Sequence, residues 1–164
     1  MIKYYPESVQ VVFEEIPDMV SLAIEITNCP GHCVGCHSPW LREDIGDELT
    51  LDKLYELIEA NKGINCVVFM GEGKDPEALK ALAAGVHNVY PHLSTALYSG
   101  RDEVEEEYDW YFNYIKVGPY IPEKKALNFN TTNQRLYKIE RKTINGDEKP
   151  KRVDITYKFW KHNG

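Results

Sequence analysis

The sequence predicts a single α/β domain built on a mostly parallel sheet. Short runs rich in β-branched residues alternate with amphipathic helical stretches, and the connections between them are mostly short. One strand-length run, Cys66–Met70, is apolar without a break. Such a run suits a strand buried on both faces, as in parallel sheets. Strand–helix–strand alternation also implies right-handed crossovers, which keep successive strands parallel.

Val9–Phe13 and Val20–Thr27 are β-rich runs separated by Ile16-Pro17-Asp18. Within the second, Leu22, Ile24 and Ile26 alternate with Ser21, Ala23 and Glu25. A long loop from Asn28 to Glu48 follows, broken by proline and glycine and carrying Cys29, Cys33 and Cys36. Thr50 reads as the N-cap of a helix over Leu51–Ala60, with Leu51, Leu54, Tyr55 and Ile58 on one face. Asn61 and Gly63 close that helix.

After the strand Cys66–Met70, Gly71-Glu72-Gly73 makes a turn. Asp75 and Pro76 open a second helix at N-cap and N1, with Leu79, Leu82 and Ala83 facing inward. Leu93–Ser99 is the next strand, ended by Gly100, and Asp102–Tyr108 reads as a short acidic helix. Its residues Glu103, Glu105, Glu106 and Glu107 form a solvated face. Trp110–Val117 is a further strand, ended by Gly118-Pro119. Beyond an irregular stretch to Gln134, Arg135–Arg141 and Val153–Trp160 read as a closing pair around Asn145-Gly146. Ligands gather at the C-terminal ends of strands in such sheets, and the unusual sequences fall there.

The chain has 164 residues, the length of one ordinary domain. It carries 19 Lys+Arg against 26 Asp+Glu, a net charge of −7, which argues against a nucleic-acid partner. A basic patch of Lys138, Arg141, Lys142, Lys149, Lys151 and Arg152 is diluted by Glu140, Asp147 and Glu148 and reads as a solvated hairpin. Apolar residues at 43% suffice for a core, and no apolar run reaches the roughly 20 residues that span a bilayer. Met1 to Pro6 lacks a basic and apolar leader, so a cytoplasmic location and no membrane partner are expected.

The informative segment is Cys29-Pro30-Gly31-His32-Cys33-Val34-Gly35-Cys36-His37. Three thiols at this spacing converge on one centre, while Pro30, Gly31 and Gly35 prevent a regular helix and let backbone wrap closely. Clustered thiols without an export signal read as metal or cofactor ligands rather than disulfides. Tight cysteine runs of this type hold iron–sulfur clusters, and three cysteines on a 4Fe-4S cubane leave one iron open. The rival reading is a non-catalytic zinc-binding interaction module, with a Cys₃His site completed by His32 or His37. Cys66, on a buried strand, is expected to be a small core residue.

Cys-x3-Cys-x2-Cys directly after the first parallel strand resembles the radical S-adenosylmethionine signature. Three further features narrow the likeness: the Cys-x-Gly-Cys form of the loop, Ile115-Lys116-Val117-Gly118-Pro119-Tyr120, and Thr131-Thr132-Asn133-Gln134-Arg135. With the small size, they resemble the family that activates anaerobic ribonucleoside-triphosphate reductases, over roughly Tyr5 to Tyr137. The resemblance implies an open partial (β/α) barrel with helices outside, and a C-terminal extension from Arg141 to Gly164 beyond the close match.

It also implies that Cys29, Cys33 and Cys36 hold a 4Fe-4S cluster whose open iron binds S-adenosylmethionine. Reductive cleavage would give a 5′-deoxyadenosyl radical that installs a glycyl radical on the large subunit of the reductase, with a flavodoxin or ferredoxin as electron donor. Gly71, Glu72 and Gly73 stand where relatives meet the methionine amino group. Gly35 and His37 lie by resemblance beside the adenine, with His37 or Trp40 as the stacking surface. Ser99 could bind the ribose, Lys116 the methionine carboxylate, and Asn133-Gln134 could shape the partner-docking face. A related radical enzyme acting on another protein or a small molecule is the nearest alternative.

Overall fold

The computed structural model describes residues 1–27, 46–119, 121–124, 129–144 and 146–160. Its strands are β1 (Lys3–Tyr4), β2 (Gln10–Val12), β3 (Ser21–Glu25), β4 (Asp47–Glu48), β5 (Cys66–Met70), β6 (Ser94–Tyr98), β7 (Tyr114–Val117), β8 (Arg135–Ile144) and β9 (Asp147–Asp154). The helices are α1 (Leu51–Ala60) and α2 (Pro76–Val89). Seven strands form an open mixed sheet in the order β2-β3-β5-β6-β7-β8-β9, and β1 pairs with β4 apart from it.

The parallel part is β3-β5-β6-β7, narrower than the mostly parallel sheet expected, because β2, β8 and β9 flank it antiparallel. Antiparallel neighbours need only short connections, whereas each parallel step here spends a crossover. Those crossovers carry α1, α2 and a single 3-10 turn over Glu106–Trp110.

Local chemistry sets the helix ends. The Thr50 hydroxyl accepts from Lys53 N at 3.1 Å, and the Asp75 carboxylate accepts from Ala78 N at 3.1 Å, with Pro76 next. Each cap satisfies an amide that has no partner inside its helix. Leu54 and Ile58 of α1 and Leu79, Leu82 and Ala83 of α2 are buried. Leu51 and Tyr55 instead meet α2 at Gly85, where a Cβ would collide with Leu51, and the Tyr55 hydroxyl donates to Gly85 O at 3.3 Å. The glycine therefore sets how closely the helices approach.

The strand alternation divides two layers. Leu22, Ile24, Val67, Phe69, Leu97 and Ile115 pack on the helical side. Ala23, Cys66, Val68, Ala96 and Leu136 pack on the other, under Ile16 and Ile155. Each fully buried Leu, Ile or Phe contributes about 1.5–3 kcal/mol.

Cys66 is fully buried, and desolvation pushes its thiol up to about 12. Cys66→Ala is accordingly expected to lower stability by about 1 kcal/mol while leaving metal content unchanged. Denaturant titration and iron analysis check this, and iron loss would make Cys66 a ligand.

The C-terminal half differs from the sequence reading in several elements, among them β8, which runs on to Ile144 rather than ending at Arg141. The acidic stretch forms the 3-10 turn Glu106–Trp110 rather than a helix over Asp102–Tyr108, and the strand after it starts only at Tyr114. The last strand is Asp147–Asp154, and Thr156–Phe159 is a 3-10 turn, where the reading had Val153–Trp160 as strand. β9 is the sheet's edge, which admits Pro150 and a charged outer row.

The basic patch is also not wholly solvated. Arg152 Nε donates to both Asp109 carboxylate oxygens at 2.8 and 3.0 Å, and Arg141 Nη2 donates to Trp110 O at 3.0 Å. Arg141 also lies 5.3 Å above the Trp110 ring, so two arginines fasten the turn to the hairpin. Among the described residues no helix is long and apolar enough to cross a membrane.

Candidate functional site

The cysteine segment starts from β3, and its base is built by β1. Tyr4 bridges Ile26, Thr27 N donates to Lys3 O at 3.0 Å, and Tyr5 N donates to Glu25 O at 3.0 Å. On the return side, Lys3 pairs with Glu48 and Tyr4 with Asp47, and Leu49 N donates to Ile2 O at 2.8 Å. One short strand thus pairs with described residues on both sides of positions 28–45. Gly46 closes the bracket at φ 93°, where an added Cβ would overlap the Tyr4 carbonyl oxygen. Cys29, Cys33, Gly35, Cys36 and His37 all lie outside the described residues, as does Trp40.

The C-terminal ends of β5, β6 and β7 gather the other candidates. Gly71 N donates to Tyr98 O at 2.9 Å, Ser99 N to Lys116 O at 2.8 Å, and Gly118 N to Arg101 O at 2.6 Å. Gly71 and Gly73 have φ of 114° and 68°, a region that glycine enters without steric cost. Both press on the exit of β3: a Cβ on Gly71 would lie 3.2 Å from Ile26 O, and one on Gly73 3.2 Å from Ile26 Cγ2. The turn after β5 and the exit of β3 are therefore in direct contact.

The side chains on this rim bond first to one another. Glu72, nearly buried, accepts from Arg101 Nη2 at 2.6 Å and Nε at 2.9 Å, and from the Ser99 hydroxyl. Arg101 also reaches Glu105 with Nη1 at 2.9 Å and Nη2 at 2.8 Å. The guanidinium lowers the Glu105 carboxyl to about 2, and the two carboxylates raise Arg101. Lys116 Nζ donates to Gly118 O at 2.8 Å and Ser99 O at 3.3 Å and sits 5.6 Å above the Tyr98 ring. Ser99 and Lys116 are thus where the sequence placed them, but both fasten strand ends.

Strand register sets Glu25, Met70, Tyr98 and Lys116 side by side across the same end of the sheet. In this row Glu25 Oε2 is buried without a hydrogen-bond partner among the described residues. The Tyr98 hydroxyl donates to Glu15 O, and burial raises its pKa strongly. Asn133 Nδ2 donates to Pro119 O at 3.0 Å and Gln134 Nε2 to Gly118 O at 3.3 Å, giving this pair a defined role at the β7 turn.

On the outer side lies a cleft of about 410 Å³, lined by Glu72, Lys80, Arg101, Glu105, Glu107 and Tyr108 among others. Lys80 bonds Glu77 at 3.2 Å and also Glu107, so the cleft holds an ion-pair network in which carboxylates outnumber cations.

Sequence reasoning missed Arg101, Glu105 and the β1 bracket. A single arginine after Ser99-Gly100 and a strand of two residues carry no periodic signal. Among the described residues, no group of three His, Cys, Asp or Glu is arranged to hold a metal ion. Comparison with protein-family models, curated proteins and solved structures returned no match.

Proposed function

We propose that this chain is a radical S-adenosylmethionine activase that installs a glycyl radical on an anaerobic ribonucleoside-triphosphate reductase. The observation that carries the reading is the placement of Cys-x3-Cys-x2-Cys. In sequence it follows directly on β3, and Ile26, just past that strand, lies against Gly71 and Gly73. The donor set fits the cofactor: three soft thiolates within eight positions suit a 4Fe-4S cluster and leave one iron for an outside ligand. On this reading the seven-stranded sheet is the wall of an open partial barrel.

Cys29, Cys33 and Cys36 would hold the cluster. When bound, it supplies the electron that splits S-adenosylmethionine into methionine and a 5′-deoxyadenosyl radical, which takes the α-hydrogen of a partner glycine. A flavodoxin or ferredoxin provides that electron, since the cysteine run has ligands for a single cluster. The protein's own residues bind and orient the cosubstrate. On this reading carbonyls of the Gly71-Glu72-Gly73 turn would accept from the methionine amino group, since Gly71 N already donates to Tyr98 O, with Glu72 behind them as anchor. Ser99 and Lys116 hold the ribose and carboxylate side of the same rim, and Gly35 and His37 flank the adenine.

The test is anaerobic incubation of iron-loaded chain, reductant, S-adenosylmethionine and reductase large subunit, followed by paramagnetic resonance. A glycyl doublet on the large subunit, with 5′-deoxyadenosine formed, supports the reading. Colourless protein with stoichiometric zinc would replace it with the zinc module. Productive cosubstrate cleavage without any reductase would point to a radical enzyme with another substrate.

A further inference from the structure

We propose that Arg101 is a positioning residue for the cosubstrate, setting the Gly71-Glu72-Gly73 turn through the carboxylate of Glu72; this rests on the radical S-adenosylmethionine reading above. Two glycines at positive φ give that turn no conformational preference of its own. Glu72, between them, is the only side chain in the turn by which the rest of the protein can hold it. Its side chain is 10% exposed and accepts a two-point grip from Arg101, through Nη2 and Nε. A planar fork matched to a carboxylate fixes orientation as well as distance, which a lysine ammonium cannot do.

Arg101 is itself held at three further points. Its N–H donates to Ser99 Oγ at 3.1 Å, its carbonyl accepts from Gly118 N at 2.6 Å, and its guanidinium also binds Glu105. The residue therefore ties the turns after β5, β6 and β7 into one rim. Without the guanidinium, the Glu72 carboxylate would keep, among the described residues, only the Ser99 hydroxyl. A nearly buried charge left so poorly paired would swing toward water and take the turn with it. The main-chain groups of the turn would then lose their aim, while the pairing of β1 with β4 stays in place.

The experiment is equilibrium dialysis of S-adenosylmethionine against anaerobic, iron-loaded protein, with iron and sulfide measured on the same samples. Arg101→Gln is expected to keep wild-type iron and sulfide and weaken cosubstrate binding by about tenfold or more. Arg101→Lys should recover part of that loss, and Glu105→Gln, which leaves the grip on Glu72, should shift binding less than either. Should Arg101→Gln fail to fold, Glu72→Gln, of the same size and without the charge, is expected to show the same weakening. Wild-type affinity in the folded Arg101→Gln protein, or in Glu72→Gln in its place, would overturn the assignment. Wild-type protein that carries the cluster but binds no cosubstrate would overturn the underlying reading and this assignment together.

Discussion

Replacing Cys33 with alanine is expected to remove the iron–sulfur cluster while the sheet remains folded. The two halves of that expectation have separate physical grounds. A cubane held by three thiolates has no spare protein ligand, so removing the middle donor leaves two, too few to retain it. The folded framework has its own core among the described residues: the apolar layers around β3, β5, β6 and β7 bury Leu22, Ile24, Val67, Phe69, Leu97 and Ile115. Iron and sulfide should therefore fall to background, glycyl-radical formation should cease, and the far-ultraviolet circular dichroism should be nearly unchanged. Retention of iron with full activity in Cys33→Ala would contradict the ligand assignment.

Gly46→Ala is expected to cost about 2–4 kcal/mol and to lower iron retention with it. At φ 93° an alanine is strained, and its Cβ would overlap the backbone oxygen of Tyr4, an atom that cannot turn aside. Relief requires β4 to separate from β1, which opens the base on which the cysteine segment stands. Gly63→Ala supplies the comparison. Gly63 has a similar φ of 96° with nothing within 4 Å of the added Cβ, so strain alone, about 1 kcal/mol, is expected there. Urea titration of both variants, with iron counted before and after gel filtration, measures the difference. Equal stability of the two would mean that the β1–β4 bracket does not constrain the segment.

Much of this architecture could be read from the chain because its signals are local. Thr50 and Asp75 announce helix starts by hydrogen bonds that reach only three residues ahead. Cys66–Met70 is unbroken in apolarity because helices cover one face and the layer of Ile16 and Ile155 covers the other. Where pairing is long-range, the sequence gives no such signal. β9 is an edge strand of charged residues with one proline and one valine, and its strand character comes from register with β8 rather than from alternation.

The site divides the same way. Gly71, Gly73, Ser99 and Lys116 are visible as interruptions at strand ends. Arg101 becomes visible only when the turns after β5 and β6 come together, 29 residues apart in sequence. Glu105 and Glu107 read as a solvated acidic face, yet Glu105 pairs with Arg101 four residues before it and Glu107 with Lys80 of α2 across the fold. A charge beside its partner in space looks like any surface charge in sequence.

The central claim is that three thiolates grip a cluster with one iron left for an outside ligand. Its most direct measurement is the paramagnetic resonance of the anaerobically reconstituted, reduced protein before and after adding S-adenosylmethionine. The cluster signal is expected to change shape and g values on addition, because the amino and carboxylate groups then bind that iron. An identical signal with and without the cosubstrate, or oxygen-free protein that carries no cluster, would contradict the account.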